Sequence, residues 1–282
     1  MSVDQVVEAV KEVGPNAAAV GVGVPSVIDF ATGRAKSSVN IPLRDVPLRE
    51  LLRERLGLPV YVDNDATCAA LAEAHEGDRL VTHDLVMLTL GTGVGGGLVL
   101  GGRIYRGATG AAAELGHTLI GVSLADGVPQ AGSFPQEGSL ERLGAGRALD
   151  ALAARAASEH PDSALGRLAA SGREVKGKDA VEAAMEGDEP AQRAVRLLGE
   201  RVGIGVANAI NTFDPEVVAL GGGVSAAGDL ILEPAREVAA RFVLPGVGER
   251  TEIRLSRYGP EAGLRGAALL AGQELAAEGR PS

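Results

Sequence analysis

Leu88–Gly102, LTLGTGVGGGLVLGG, reads as an apolar strand, a glycine loop from Gly91 to Gly97, and a second apolar strand. Five glycines in those seven loop positions remove the side chains that keep a large anion off the backbone. They also let the backbone take positive φ and turn several N–H groups inward. Such a loop suits phosphate. It lacks the Lys of a mononucleotide-binding loop, and a strand rather than a helix follows it, which separates it from the dinucleotide fingerprint. A glycine-rich hairpin that holds nothing fits the same residues, so the stretch alone leaves both readings open.

Composition narrows the classes. The chain has 282 residues, enough for one large domain or two lobes. Hydrophobic residues make up 45% and aromatics 2%, with no Trp, so the core must be built from Ala, Val, Leu and Ile. Forty glycines in so apolar a chain point to tight strand-to-helix turns rather than disorder. A net charge of -10, with no run of four basic residues, repels a phosphate backbone and argues against nucleic acid as a partner. The lone Cys68 excludes an internal disulfide and a cysteine-rich metal site. The opening MSVDQVVEAVKEVG lacks the basic-then-apolar order of a signal peptide. The longest charge-free run, Leu85–Gly102, carries seven glycines, which argues against a spanning helix. The expectation is a soluble cytoplasmic protein with no membrane partner.

In order, the patterns predict a helix over 3–13 ended by Gly14-Pro15 and a buried strand from Ala17 to Val24. An exposed strand follows in 31–40, then a helix over 46–56 stopped by Gly57 and a strand over 59–63. A helix is predicted over 65–76 and a polar stretch over 78–84. After the two strands of the opening stretch come a Gly/Ala segment, a loop over 121–138, and helices over 140–160, 164–170, 178–186 and 189–212. A buried strand EVVAL leads into Gly221-Gly222-Gly223; a helix over 227–242, an edge strand over 252–255 and a helix over 261–278 close the chain. Strand, glycine turn and helix alternate, as in α/β layers.

Several residues could carry chemistry. Asn64-Asp65 stands where a strand gives way to a helix, the usual place for ligand residues in α/β proteins, although helix capping alone would explain an Asp there. Glu114 and His117, three apart, would share one face. Glu141 would be a first-turn acid favoured by the helix dipole. Gly221, Gly222 and Gly223 would admit a flat ligand or simply make a tight turn.

Taken in order, the blocks GVGVPSVID, NIP, VDNDATCAALAE, LTLGTGVGGGLVLGGRIYRGATGAAAELGH, GSLE, ANAINTFDPEVVALGGGVS and GLRGAALLA resemble the ROK family of sugar kinases and sugar-responsive repressors, over about residues 17 to 272. The resemblance implies the two-lobe, actin-like (ribonuclease H-like) α/β ATPase fold. A smaller lobe of residues 1–84 would be completed by the closing helix 261–282, with a larger lobe over 85–260 and the active site in the cleft between them. It implies that Asp65 is the catalytic base and that Asn40, Asn64, Asp65, Glu114, His117 and Glu141 bind the sugar. Gly91, Thr92, Gly93, Gly95 and Gly96 would hold phosphate, and Gly221, Gly222 and Gly223 adenosine. ATP with Mg²⁺ would be the donor, a hexose the substrate and a homodimer the assembly.

The sequence departs from the family twice. The family's zinc site joins the histidine to three cysteines in a CxCGxxGCxE pattern; here the matching positions hold Gly132, Phe134 and Ser139, which argues against zinc. The family opens on a strand–DxGGT–strand hairpin that supplies a first phosphate loop, and no such motif occurs in this chain. The fold is therefore expected without that hairpin, and the favoured account is that a misplaced start or a shortened chain has cut it off, with a natural truncation as the other account. The leading expectation is phosphorylation of glucose to glucose 6-phosphate, with mannose, fructose or N-acetylmannosamine as other substrates and polyphosphate as another donor. A sugar-binding protein without turnover, or a regulator, is the alternative.

Overall fold

The computed structural model describes residues 3–37 and 44–279; Asn40, expected at the sugar, lies outside them. The chain divides into two compact units. One comprises Met1–Met87, Gly97–Ala113 and Pro260–Ser282; the other comprises Leu88–Gly96 and Glu114–Gly259.

The first unit opens on helix α1 (Val3–Val13), followed by strands β1 (Val20–Val24), β2 (Val27–Asp29), β3 (Arg34–Ser37) and β4 (Arg44–Val46). Helix α2 (Leu48–Leu56) ends where Gly57 takes a left-handed φ of 68°, the conformation only glycine adopts at no cost. Strand β5 (Val60–Asn64) runs parallel to β1, from Val20 opposite Val60 to Val24 opposite Asn64, while β2, β3 and β4 form an antiparallel sheet. Val7, Val20, Ile28, Leu48, Leu52, Val60 and Val62 pack into one core. Helix α3 (Asp65–Glu73) follows β5 directly.

Alpha helix had been expected to continue to Glu76. It stops because the Ala74 carbonyl accepts the N–H groups of Val81 and Thr82, which closes a hairpin of β6 (His75–Glu76) on β7 (Arg79–Leu80). The closing helix Ala262–Glu278 packs on α3 and β1 through backbone contact. A Cβ on Gly266 would stand 1.6 Å from the Cys68 carbonyl oxygen, and one on Gly21 would stand 1.7 Å from that of Ala267. Glycine is therefore what lets helix meet helix and helix meet strand here. Tyr61, Cys68, Leu71, Ala267, Leu270 and Ala271 fill the core around those contacts.

Strands β8 (Leu85–Leu90), β9 (Val94–Leu100), β10 (Arg103–Ile104), β11 (Val217–Gly221) and β12 (Glu252–Leu255) form a five-stranded sheet in the order β10-β9-β8-β11-β12. The central strands are apolar runs because they are buried on both faces. The glycine loop is shorter than expected. Only Gly91–Gly93 turn, and Val94 to Gly97 already extend as β9, where Gly97 lies against the Ala66 carbonyl of α3.

The second unit adds α4 (Leu140–Gly144), α5 (Gly146–Glu159), α6 (Ala164–Ala170), α7 (Gly177–Met185), the 25-residue α8 (Glu189–Phe213) and α9 (Asp229–Phe242). The closing helix is α10. One helix had been expected over 140–160; the chain breaks instead at Ala145, whose ψ of 171° is extended. No helix among the described residues is long and apolar enough to cross a membrane.

Candidate active site

In the first unit, Asn64 is the N-cap of α3. Its Oδ1 accepts the N–H groups of Ala66 at 2.9 Å and Thr67 at 3.1 Å, and its Nδ2 donates to the Ser26 carbonyl at 3.3 Å. An amide offers two lone pairs and two N–H donors. Both lone pairs and one donor are spent, which leaves one N–H for a ligand oxygen. Because Asn64 caps the helix, Asp65 is not needed for that purpose and stands exposed as the first helical residue. Its Oδ1 touches only its own turn, at the Ala66 N–H, 2.9 Å away. The surrounding protein still removes enough water to raise its carboxyl pKa above the ordinary value.

Beneath them lies a pair that sequence reasoning missed. Asp63, 3% exposed, accepts the Asn64 N–H through Oδ1 at 2.9 Å and the Arg106 Nε–H through Oδ2 at 2.8 Å. The Arg106 guanidinium lies 3.6 Å above the centre of the Phe30 ring, and Glu274 approaches its far nitrogen at 3.8 Å. Burial raises the Asp63 pKa, with Arg106 pulling the other way. A carboxylate inside the strand VYVDN was the available sign, since a charge is placed there only with a partner.

The second unit holds the glycine turn. The Gly91 N–H donates to the Gly93 carbonyl at 2.9 Å, and the Gly91 carbonyl accepts the N–H of Gly146 at 2.8 Å. Val94 N–H donates to Oε2 of Glu141 at 2.9 Å. Gly222, at φ 85°, lies so close to Leu90 that a Cβ would stand 2.5 Å from its carbonyl oxygen. By contrast, a Cβ on Gly223 would meet nothing within 4 Å, and one on Gly91 only the Gly93 oxygen at 3.9 Å. Backbone is thus bare at Gly91 and Gly223, while Gly95 and Gly96 belong to β9.

Glu114 precedes and His117 ends a short 3-10 turn (Leu115–His117), with Oε2 of Glu114 3.7 Å from Nε2 of His117. Burial, and next the neighbouring Glu141, raise the Glu114 pKa against the pull of His117. The His117 ring packs edge-on to Phe134, 5.3 Å between centres, and its Nδ1 is buried without a partner among the described residues. Asn64 and Asp65 therefore gather in one unit, and Glu114, His117, Glu141, the glycine turn and Gly221–Gly223 in the other.

The model of the ROK family matches residues 1–274. The chain belongs to the ROK family. It is 35% identical over 258 residues to a glucokinase of Halalkalibacterium halodurans, covering 90% of this chain and 76% of that one. It is 34% identical over 219 residues to the xylose repressor of Caldicellulosiruptor bescii, covering 78% of this chain and 53% of the repressor. Among solved structures, a ROK family glucokinase from Streptomyces griseus in complex with glucose and AMPPNP matches with a TM-score of 0.81 at 36% identity, over 96% of this chain and 87% of that chain. This ROK chain has the actin-like α/β fold of the sugar kinases.

The zinc of the ROK pattern does not fit these residues. His117 is present, but Gly132, Phe134 and Ser139 offer no thiolate, and no group of three or more His, Cys, Asp or Glu among the described residues could hold a metal ion. Packing and hydrogen bonds hold the loop instead. Gln136 exchanges two bonds of 2.8 Å with the Gly132 backbone, the Gly138 carbonyl accepts the N–H groups of Ile120 and Gly121, and Ser139 Oγ caps α4.

Proposed function

We propose that this chain is an ATP-dependent glucokinase, transferring the γ-phosphoryl group of ATP to a hydroxyl of glucose. The observation that carries the reading is its likeness, over nearly its whole length, to a ROK glucokinase determined with glucose and AMPPNP. In this reading Asp65 accepts the proton of the attacking hydroxyl. The new O–P bond forms as the bond to ADP breaks, and the proton passes to the carboxylate. A base with a raised pKa takes that proton more readily, provided it is ionised at working pH. Most of the acceleration comes from holding sugar and phosphate in line and from neutralising charge, because the transition state is loose. Asn64 offers its remaining N–H to a neighbouring hydroxyl. Glu114, His117 and Glu141 supply directional acceptors and donors for the ring. The glycine turn at Gly91–Gly93 meets phosphate, and the bare backbone at Gly223 meets adenosine. Mg²⁺ bound to the ATP phosphates would offset their charge.

Purified protein given glucose, ATP and Mg²⁺ should release glucose 6-phosphate, read by a coupled dehydrogenase assay. Asp65→Asn should lower kcat by about 10²–10⁴-fold, the worth of a positioned base. Glucose binding without turnover, in a wild type that is folded by circular dichroism, would instead support the regulatory reading suggested by the xylose-repressor relative. Running mannose, fructose and N-acetylmannosamine alongside glucose identifies the preferred sugar.

A further inference from the structure

We infer that Glu141 is a positioning residue for the nucleotide: its carboxylate fixes the glycine turn that meets phosphate. The inference deepens the kinase reading and rests on it. The family resemblance gives Glu141 to the sugar alone. In the structure its Oε2 is already engaged, accepting the Val94 N–H at 2.9 Å immediately after the turn. The same carboxylate fills the space beside Gly93. A Cβ there would stand 2.3 Å from Oε2 and 2.9 Å from Cδ, so glycine at 93 is needed to seat Glu141 rather than to admit a ligand.

The other end of the turn is held from the same place. The break at Ala145 frees the Gly146 N–H from a continuous helix and directs it to the Gly91 carbonyl at 2.8 Å. One short stretch, Glu141–Gly146, therefore grips the turn on both sides. Within the turn, the Gly91 N–H is spent on the Gly93 carbonyl. The N–H groups of Thr92 and Gly93 have no partner among the described residues. None of Gly91, Thr92 and Gly93 takes a positive φ, so the turn offers an anion two neighbouring unspent donors held in place from both sides rather than a left-handed nest. Engaging Oε2 with an N–H also tempers the negative charge that Glu141 brings close to a phosphate.

Calorimetric titration with AMPPNP and Mg²⁺, without sugar, separates this role from sugar binding. Glu141→Ala should weaken AMPPNP by about tenfold or more, the scale of one hydrogen bond to a charged group. Glu141→Gln keeps an acceptor for the Val94 N–H and should stay within about threefold of wild type, well under one such bond. Gly93→Ala should behave like Glu141→Ala, and the double variant should be no worse than either single one, because both break the same contact. A thermal melt confirms that each variant is folded. If both Glu141 variants bind AMPPNP like wild type and only the KM for glucose rises, Glu141 serves the sugar alone and the inference is wrong. If wild type itself binds no AMPPNP, the kinase reading fails first.

Discussion

Replacing Arg106 with alanine strands a carboxylate. Asp63 is 4% exposed at its side chain and its ion-pair partner Arg106 is 22% exposed, so water can reach the cation but not the anion. Breaking a buried pair by removing one member costs about 3–5 kcal/mol. The partial exposure of Arg106 argues for the lower end, about 3 kcal/mol, with a little more from its lost stacking on Phe30. At about 2–4 °C per kcal/mol for a chain of this size, the melting temperature should fall by about 6–12 °C. Asp63→Asn should be far milder, about 1 kcal/mol. Its amide oxygen still accepts from Asn64, and the guanidinium keeps solvent, Phe30 and Glu274. The pH dependence of the alanine variant gives an independent check. Burial already raises the Asp63 pKa, and without Arg106 only the Asn64 N–H and the charge of Arg49 oppose that push. Between the unfolded value of about 3.9 and the raised folded value, the folded variant holds a proton that the unfolded chain does not. Its stability is therefore recovered as pH falls toward the unfolded value and lost as pH rises through the folded one. The deficit against wild type should be largest at neutral pH and shrink toward about pH 4. Thermal melts followed by circular dichroism from pH 4 to 8 measure both effects. A loss for Arg106→Ala no larger than for Asp63→Asn, or a deficit flat with pH, would refute the reasoning.

Asn64→Ala removes the N-cap of α3 and should cost about 1 kcal/mol, whereas Asp65→Ala should leave the melting temperature unchanged; paired melts decide this. Gly266→Ala places a Cβ 1.6 Å from a backbone oxygen that has no side-chain freedom to yield, and should cost about 3 kcal/mol or more, read as loss of soluble yield or a lowered melt. The kcat/KM for glucose should fall on the acid side as Asp65 takes up a proton. That limb should lie above the ordinary Asp value because desolvation raises its pKa; a limb at or below about pH 3.9 would contradict the assignment.

What could be read from the sequence was local. VDNDATCAALAE announced a strand running into a helix, and the residues at that junction stand where the pattern put them. AAAELGH and GSLE likewise carried their acids and histidine within a few residues of one another. The misreadings have tertiary causes. In LERLGAGRALD the glycines on either side of Ala145 weaken a helix without by themselves ending it; the interruption serves a hydrogen bond to Gly91, far away in sequence. Gly95–Gly97 looked like loop because glycine usually turns, yet Gly97 is glycine for its close approach to Ala66. The Asp63–Arg106 bond spans 43 residues and the Glu141–Val94 bond 47. No pattern within a helix or strand encodes either of them.

The seat of α10 on α3 and β1 also has a consequence for biosynthesis. Gly21 and Cys68 meet their partners only when residues 262–271 exist, about 240 residues after Gly21. At about 5–20 residues per second, the ribosome needs roughly 10–50 s to cover that distance. For that interval the nascent first unit carries an uncovered apolar seam, while the second unit, encoded inside it, can already fold. Chaperone dependence during translation should therefore track the seam of Tyr61, Cys68 and Leu71 rather than the larger helical body.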